Sequence, residues 1–229
     1  MKNVMQFLAR NRGLFVFVIG MVMFRSAAAD WNVVPTGSMQ PTIRIGDRIL
    51  VDKAAYDIRL PLTHVSLVHL ADPMRGDIVV LDSHAADEKL VKRVIGVPGD
   101  VVAMRNNQLI INGKPAIYAA GSVTGIRDDA NDPARYALES VDNVSHAIRL
   151  SIYRPSPITS FGPVKVPKGH YLLLGDNRDN SEDSRYLGFF SRAEIVGRSR
   201  YVVASLDPGR YDLPRWNRFG ASLDGNSLK

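Results

Sequence analysis

The sequence predicts a mainly β protein, folded as a barrel or sandwich, with a small inserted cap and an N-terminal membrane helix. Three observations support this fold class. After Val33 the apolar residues occur in short runs rich in β-branched and aromatic side chains, turn signals bound most of these runs, and no long amphipathic helix competes with them. The chain has 229 residues, of which 45% are apolar, which is enough for one large core or two unequal ones.

Eight runs carry the strand pattern. The pairs Gly46-Asp47, Gly76-Asp77 and Gly99-Asp100 each precede a run as turn signals. Asn112-Gly113 separates two further runs in the way that a two-residue type I′ hairpin turn requires. The predicted strands are 48–51, 77–81, 90–97, 101–104, 109–111, 147–153, 171–174 and 201–204.

The N-terminal stretch predicts a targeting or anchoring segment. Lys2, Arg10 and Arg12 precede an uncharged apolar run at 13–24. This run is short for a membrane span, which needs roughly 20 residues, and Ala27-Ala28-Ala29 offers a signal-peptide cleavage site. A cleaved signal and a retained anchor therefore both remain open. In either case the basic end stays in the cytoplasm and the rest of the chain is exported.

Charge and composition exclude several classes of partner and cofactor. The net charge is +6, but the first 29 residues hold four basic residues and no acidic one, so 25 basic and 23 acidic residues remain for the body. A nucleic-acid partner is therefore not expected. The absence of cysteine excludes disulfides and thiolate chemistry. No metal or cofactor is predicted either. The histidines lack the close spacing of metal ligands and are interpreted as surface or loop residues; they are His64, His69, His84, His146 and His170.

The composition also divides the chain into segments. Residues 115–165 are rich in Gly, Asp and Pro, and they predict a cap inserted between the two parts of a β-domain, 31–114 and 166–207. An ordinary solvated loop region is the alternative for this stretch. The other predicted segments are a cytoplasmic N-terminus at 1–12, an anchor at 13–30 and a poorly ordered tail at 208–229.

One serine stands in a setting that suits a nucleophile. Ser38 lies between Gly37 and Met39, and Pro35 and Pro41 restrict the backbone on either side. A free serine is a poor nucleophile at neutral pH and needs a nearby base. The octapeptide by itself is equally compatible with a turn, so the base must come from elsewhere in the chain.

Lys92 is the candidate for that base. In an extended strand, alternation puts Lys92 on one face with Leu90 and Val94, and Arg93 on the other face. If the Lys92 face points inward, desolvation lowers the pKa of its amine, and the neutral amine can take a proton from Ser38. Two surface charges are the alternative interpretation of the Lys-Arg pair.

A polar stretch at 175–188 follows the apolar run 171–174 and is too rich in Asp, Asn, Ser and Arg to be core. It fits the EF-hand calcium loop poorly. A hydrogen-bonded shell beside an active site fits better, with Asp and Arg as paired charges and one serine as a partner for the lysine amine.

These stretches together carry a resemblance to a known family. The segments 38–42, 75–80, 92–100 and 175–188 resemble, in this order, the sequence boxes of bacterial type I signal peptidases, or leader peptidases. The resemblance extends over residues 31 to 206. It implies an exported catalytic β-domain and a Ser/Lys dyad in which Ser38 is the nucleophile and Lys92 is the general base.

The resemblance assigns further roles around the dyad. It implies an oxyanion hole made by the backbone N–H of Ser38 and the hydroxyl of Thr36, where the family commonly has serine. Ser181 matches the residue that orients the lysine amine. Asp183 and Arg185 match a charge pair that supports the loop.

The resemblance also implies the substrate and the location. The substrates would be exported preproteins, whose signal peptides are cut after small residues in the pattern Ala-x-Ala. The peptide would lie extended along a strand edge, against shallow apolar pockets lined by Val34, Met39, Ile43 and Val91. The enzyme would be a single-pass serine endopeptidase of the bacterial inner membrane, in contact with lipid, with its catalytic domain on the periplasmic or outer side.

Other functions remain open at this point. A specialised Ser/Lys peptidase that matures one exported substrate, such as a conjugative pilin, would use the same dyad. A self-cleaving repressor or mutagenesis protein shares the dyad, but an exported body argues against that group. An inactive, membrane-tethered β-module that binds peptides is the alternative from another class.

Overall fold

The computed structural model describes residues 10–27, 29–60, 63, 65–120 and 132–224. Within these residues there are two α-helices, α1 (Arg12–Ala27) and α2 (Ser184–Leu187), with four short 3₁₀ turns and seventeen strands. The strands are β1 (Ala29–Val33), β2 (Asp47–Asp52), β3 (Asp57–Arg59), β4 (Ser66–His69), β5 (Ile78–Ser83), β6 (Glu88–Gly96), β7 (Val101–Arg105), β8 (Gln108–Ile111), β9 (Lys114–Pro115), β10 (Ile117–Ala120), β11 (Ala134–Val141), β12 (Val144–Ser151), β13 (Phe161–Lys165), β14 (His170–Leu174), β15 (Phe190–Ser191), β16 (Ile195–Asp207) and β17 (Leu213–Pro214).

The largest sheet holds eight strands and includes β1, which leads into the Ser38 segment, and β6, which carries Lys92. Its order is β1-β2-β16-β5-β6-β14-β15, with β17 paired to β16, and the pairs along this path are antiparallel. The prediction of a mainly β protein is confirmed. Closure of the strands into a barrel, or their packing as a sandwich, stays a prediction.

Three smaller sheets complete the fold. The four-stranded sheet β13-β7-β8-β9 contains the predicted hairpin, because Asn112 and Gly113 have φ angles of 51° and 79° between β8 and β9. Positive φ at both positions is the requirement of a type I′ turn, so this prediction is confirmed. Strands β10, β11 and β12 form a separate sheet inside the segment predicted as a cap, and β3 pairs with β4.

The core beneath the Ser38 segment joins residues from both ends of the chain. Val34, Met39 and Ile43 pack with Ile49, Val51, Ile78, Val80 and Val202. Burial of each such side chain contributes about 1.5 to 3 kcal/mol. Leu223 belongs to the same cluster and is 2% exposed.

The prediction of a poorly ordered C-terminal tail is therefore wrong for residues 208–224. Besides Leu223, two arginines tie this segment down. Arg218 Nη2 lies 2.5 Å from the buried carboxylate of Asp47, and Arg215 Nε donates to Ser205 Oγ at 2.8 Å. The composition of the tail does not reveal this packing, because Asp47 lies 171 residues away from Arg218.

Helix α1 covers the apolar run of the N-terminus. Its side chains at Leu14, Val16 and Phe17 are exposed. Among the residues that the structure describes, no helix combines the length and the apolarity that crossing a membrane requires.

Candidate active site

Ser38 lies in a short irregular segment that leaves β1 and is anchored by its neighbours. Val34 N donates to Asp47 O at 2.9 Å, and Ile43 N donates to Met39 O at 2.9 Å. Met39 and Ile43 are fully buried, so the segment is fixed from below by apolar packing. Ser38 itself is half-buried, and its hydroxyl faces the middle of β6.

Lys92 lies in β6, opposite Val79 of β5, and it contacts the serine directly. Its Nζ is 3.0 Å from Ser38 Oγ. The Lys92 side chain is 3% exposed. Burial lowers the pKa of this amine, and the negative charges of Asp183, Glu88 and Glu182 oppose part of that effect. The interpretation of Lys92 as a surface charge is therefore wrong.

A cleft of about 310 Å³ opens onto this pair. One wall is the β1 strand with the residues that follow it, and the other wall is the first half of β6. Of the four predicted pocket residues, Val34 and Val91 line the cleft, whereas Met39 and Ile43 lie in the core behind it. Thr36 is exposed and lines the cleft beside Ser38. The cleft residues that the sequence prediction missed are Trp31, Asn32, Val33, Pro35, Glu88, Lys89 and Leu90.

The polar stretch after β14 packs directly against the Ser38 segment. Asn177 N donates to Ser38 O at 3.0 Å, and Asn177 Nδ2 donates to Gly37 O at 3.0 Å. Gly175 makes this approach possible, because a Cβ at that position would lie 2.5 Å from Ser38 O and 2.2 Å from Ser181 Oγ. The sequence prediction placed this stretch beside the active site but did not single out Asn177.

Within this stretch, Asp183 and Arg185 form a bidentate pair. Arg185 Nε and Nη2 donate to the two Asp183 oxygens at 2.8 and 2.9 Å, and Asp183 Oδ2 also accepts from Gly175 N at 3.0 Å. Ser181 Oγ is buried and makes no hydrogen bond to another described residue. The structure therefore places Ser181 next to Glu182, Asp183 and Arg185, which act electrostatically on Lys92, but without a direct bond from Ser181 to the amine.

Arg93, on the opposite face of β6 from Lys92, is held by Asp176. Its Nε and Nη2 donate to the two carboxylate oxygens at 2.8 and 2.6 Å, and Nη1 donates to Gly76 O at 2.9 Å. Asp176 also accepts from Thr42 Oγ1 at 2.5 Å. Arg93 lowers the pKa of this buried carboxyl against the opposing effect of burial. The pair thereby links β6 to the Ser38 segment.

A second buried group connects this pair to the three-stranded sheet β10-β11-β12. Glu139 of β11 accepts from Arg178 Nη1 and Nη2 at 2.8 and 2.6 Å, and from the Tyr118 hydroxyl at 2.6 Å. His146 of β12 lies 3.2 Å from Glu139 and 3.9 Å from Asp176. Burial and the positive charge of Arg93 lower the pKa of His146. The expectation that all the histidines are surface or loop residues is wrong for this one, which is 3% exposed.

The comparisons with known proteins agree on one class, a serine peptidase. The family described as "Signal peptidase, peptidase S26" matches residues 8–204, and the chain belongs to this family. It is therefore a hydrolase of the serine peptidase type, which confirms the resemblance of its sequence boxes.

Several relatives are named "Signal peptidase I", and three of them illustrate the similarity. The one from Pseudomonas fluorescens is 36% identical over 226 residues, which are 92% of this chain and 77% of that protein. The one from Pseudomonas aeruginosa is 34% identical with the same coverage of 92% and 77%. The one from Bacillus amyloliquefaciens is 34% identical over 83% of this chain and 84% of that protein. A solved signal peptidase I from Enterococcus faecalis V583 is 28% identical, with a TM-score of 0.34 over 56% of this chain and 97% of that chain.

Proposed function

We propose that this protein is a membrane-bound signal peptidase that cuts exported preproteins with a Ser38–Lys92 dyad. The observation that carries the proposal is the distance of 3.0 Å between Lys92 Nζ and Ser38 Oγ at the base of the cleft. This is the hydrogen-bond distance that a general base needs to activate a serine nucleophile.

The lowered pKa of Lys92 allows its amine to act as the general base. A buried amine without a carboxylate in direct contact loses its proton more readily than an exposed one, so the neutral Nζ is more accessible than in an exposed lysine. Nζ takes the Ser38 proton while Oγ bonds to the scissile carbonyl carbon. The protonated amine then gives this proton to the leaving nitrogen, and a water molecule, activated by the same amine, hydrolyses the acyl-enzyme.

The oxyanion that forms in both steps needs donors next to Ser38. The backbone N–H of Ser38 and the hydroxyl of Thr36 serve this role, since Thr36 lies on the same wall of the cleft. The threonine hydroxyl donates as a serine hydroxyl does, but its methyl group restricts χ1. Ser181 takes the role of orienting the Lys92 amine after a small movement, because in this structure its buried hydroxyl makes no hydrogen bond to the amine or to any other described residue. Asp183 and Arg185 stabilise the loop that carries Ser181.

The substrate lies extended between the two walls of the cleft. Among the strands that the structure describes, β1 is an end strand of the large sheet, and β14 pairs with residues 93 to 96 of β6 only, so the first half of β6 has an edge beside the cleft that no described strand pairs with. A peptide can therefore be recognised through its backbone along these strands. Val34 and Val91 line the cleft close to the dyad and admit small side chains before the cut, hence Ala-x-Ala. Met39 and Ile43 act as the packed floor behind these two residues.

The N-terminal segment tethers the enzyme to the inner membrane. The exposed apolar side chains of Leu14, Val16 and Phe17 on α1 suit contact with lipid. The basic residues before this run keep the N-terminus in the cytoplasm, and the β-domain lies on the periplasmic or outer side. The strands β10, β11 and β12 belong to the inserted cap that we propose within that β-domain.

The test is cleavage of a purified preprotein with an Ala-x-Ala site by wild type, Ser38→Ala and Lys92→Ala, with the N-terminus of the enzyme sequenced in the same samples. We expect cleavage by wild type alone, and an enzyme N-terminus near Met1 if 13–24 is a retained anchor. A wild type that labels with a covalent serine probe but does not cut would favour a peptidase with one dedicated substrate. If the wild type is neither labelled by the probe nor able to cleave the preprotein, the peptide-binding module becomes the best interpretation.

A further inference from the structure

The peptide group between Gly37 and Ser38 is held at its oxygen end. Asn177 Nδ2 donates to Gly37 O at 3.0 Å, and Gln40 N donates to the same oxygen at 3.1 Å. A trans peptide is planar, with its C=O and N–H pointing in opposite directions. Fixing the Gly37 carbonyl therefore fixes the direction of the Ser38 N–H.

The Asn177 backbone restrains the other side of Ser38. Asn177 N donates to Ser38 O at 3.0 Å, and Asn177 is 1% exposed. One buried residue thus holds the carbonyl before Ser38 with its side chain and the carbonyl after Ser38 with its main chain. The Ser38 backbone is clamped on both sides of its Cα by Asn177.

Arg149 sets which way the Asn177 amide points. Arg149 Nη1 lies 3.4 Å from Asn177 Oδ1, and a guanidinium group has donors only. The oxygen of the amide must therefore face Arg149, which turns the Nδ2 donors toward Gly37 O. Asp132 holds Arg149 Nη2 in turn at 2.8 Å.

The main chain of Arg149 adds to this support. Arg149 N donates to Asp176 O at 2.9 Å, and Arg178 N donates to Arg149 O at 3.1 Å. Strand β12 of the inserted sheet therefore pairs with the segment that carries Asn177. The path from the insert to Ser38 is two hydrogen bonds long.

We infer that Asn177 is a positioning residue for the oxyanion hole, and that Arg149 of the insert fixes its amide orientation. The inference rests on the proposed function, in which the Ser38 N–H is an oxyanion donor. Without the Asn177 side-chain donor, Gln40 N remains as a donor to Gly37 O, so the Gly37–Ser38 peptide is held less firmly and its N–H tilts away from the developing negative charge. The variant should lose stabilisation of the transition state more than substrate binding, because a neutral substrate carbonyl depends less on the Ser38 N–H than the oxyanion does.

The decisive variant is Asn177→Asp, which keeps the size of the side chain and its acceptor toward Arg149 but replaces the donor by an oxygen that repels Gly37 O. We expect kcat to fall about 10- to 100-fold, which is at or below the roughly 10²- to 10³-fold cost of a lost oxyanion donor because Gln40 N still holds Gly37 O, with KM changed less than about two-fold. Activity is measured on a peptide ester and on the matching thionoester, in which sulfur replaces the carbonyl oxygen.

The pair of substrates separates positioning from general damage. Sulfur is a poor hydrogen-bond acceptor, so the thionoester gains little from an oxyanion hole in any variant. Asn177→Asp should therefore lower the ester rate much more than the thionoester rate. Equal losses on both substrates, or a wild-type ester rate, would overturn the inference.

Asp179→Asn is the matched control on the same loop. Asp179 accepts from Ser151 N and Ser156 N at 2.9 Å each and from Asn107 Nδ2 at 3.4 Å, and none of these hydrogen bonds reaches the Ser38 segment. We expect this variant to leave the ratio of ester to thionoester rates unchanged. A ratio that falls as far as in Asn177→Asp would assign the effect to the loop as a whole and overturn the role of Asn177.

If Asn177→Asp does not fold, Arg149→Lys decides. Lysine keeps the positive charge beside Asp132 but lacks the forked donors, so the Asn177 amide loses the hydrogen bond that fixes its orientation. The ratio of ester to thionoester rates should then fall about three-fold. An unchanged ratio would reject the inference. Ser38→Ala separates this outcome from a failure of the proposed function. If Ser38→Ala hydrolyses the ester as well as wild type, the proposed function fails; if only Asn177 proves neutral, the dyad stands.

Discussion

Lys92 and Arg93 are adjacent cations on one strand, and they are buried to the same degree, at 3% and 2% exposure. Their surroundings differ. Arg93 donates two hydrogen bonds to Asp176 and a third to Gly76 O. Lys92 has Ser38 Oγ as its hydrogen-bond partner, and the carboxylates near it act at longer range.

The difference teaches that burial has opposite consequences with and without a counter-ion in contact. A buried cation that is paired with a carboxylate stays charged and orders the chain around it. A buried amine without such a partner has a lowered pKa and can act as a base. On one face of β6, Arg93 stabilises the structure through Asp176. On the other face, Lys92 contacts Ser38 and is the proposed base.

Lys92→Met should give the largest effect on activity. Removing the general base should lower kcat/KM by about 10³-fold or more, and Lys92→Arg should be as inactive because its guanidinium does not deprotonate. Initial rates of preprotein cleavage measure this effect. Lys165→Met, at an exposed position of β13, is the matched control and should retain wild-type activity. Lys92→Arg with more than a tenth of the wild-type rate would contradict the proposed role of the amine.

Arg93→Met should give the largest loss of stability. It leaves the Asp176 carboxylate buried without its partner, which typically costs about 3 to 5 kcal/mol in the free energy of unfolding. Urea unfolding followed by tryptophan fluorescence measures this change. The double variant Arg93→Met/Asp176→Leu should recover part of the loss, since it removes both charges. A single variant as stable as wild type would show that the pair contributes little.

The stability of wild type should rise with pH relative to Lys92→Met. The folded-state pKa of Lys92 lies below its ordinary value of 10.5, so between these two values the unfolded chain binds the proton more tightly. In this window the free energy of unfolding increases with pH, by up to about 1.4 kcal/mol per pH unit. Paired urea titrations near pH 7 and pH 10 measure the difference. A constant difference would mean that Lys92 titrates normally.

Glu88→Gln should give the smallest effect, on the pH dependence of activity. In wild type, kcat/KM should rise with pH through the lowered pKa of Lys92, and a profile that is flat from about pH 5 to pH 9 would contradict the dyad. The Glu88 carboxylate raises this pKa, so its removal should move the rising limb to lower pH. Glu88 is exposed, so the shift should shrink at high salt. A shift to higher pH would contradict the assignment of the limb to Lys92.

The active-site elements differ in how far the sequence could predict them. The alternation of β6 indicated that Lys92 and Arg93 lie on opposite faces, and the box resemblance selected Ser38 and Lys92. The sequence did not indicate that Arg93 pairs with Asp176, which lies 83 residues away. It also missed Asn177, whose bond to Gly37 O spans 140 residues. The only available signal for Asn177 was its position within the polar stretch.

The segment 115–165 likewise shows that local composition does not reveal which charged residues are buried. Its polar composition predicted a cap or a solvated loop without a role in the site. In the structure, β11 and β12 supply Glu139, His146 and Arg149 to the buried network behind Ser38. Isolated charged residues in an otherwise polar stretch are typical of surface, and only their distant partners show that they are buried.

The sequence by itself determined the features that depend on neighbours along the chain. The type I′ turn at Asn112-Gly113 needs only two residues that tolerate positive φ, and the short β-branched runs needed only local propensity and period-2 alternation to predict strands. The tertiary structure decided which buried charge meets a counter-ion, how the segment around Leu223 packs, and how Asn177 reaches the Gly37 carbonyl. These features depend on partners far apart in sequence, and no local pattern specifies which distant groups will meet when the sheets pack.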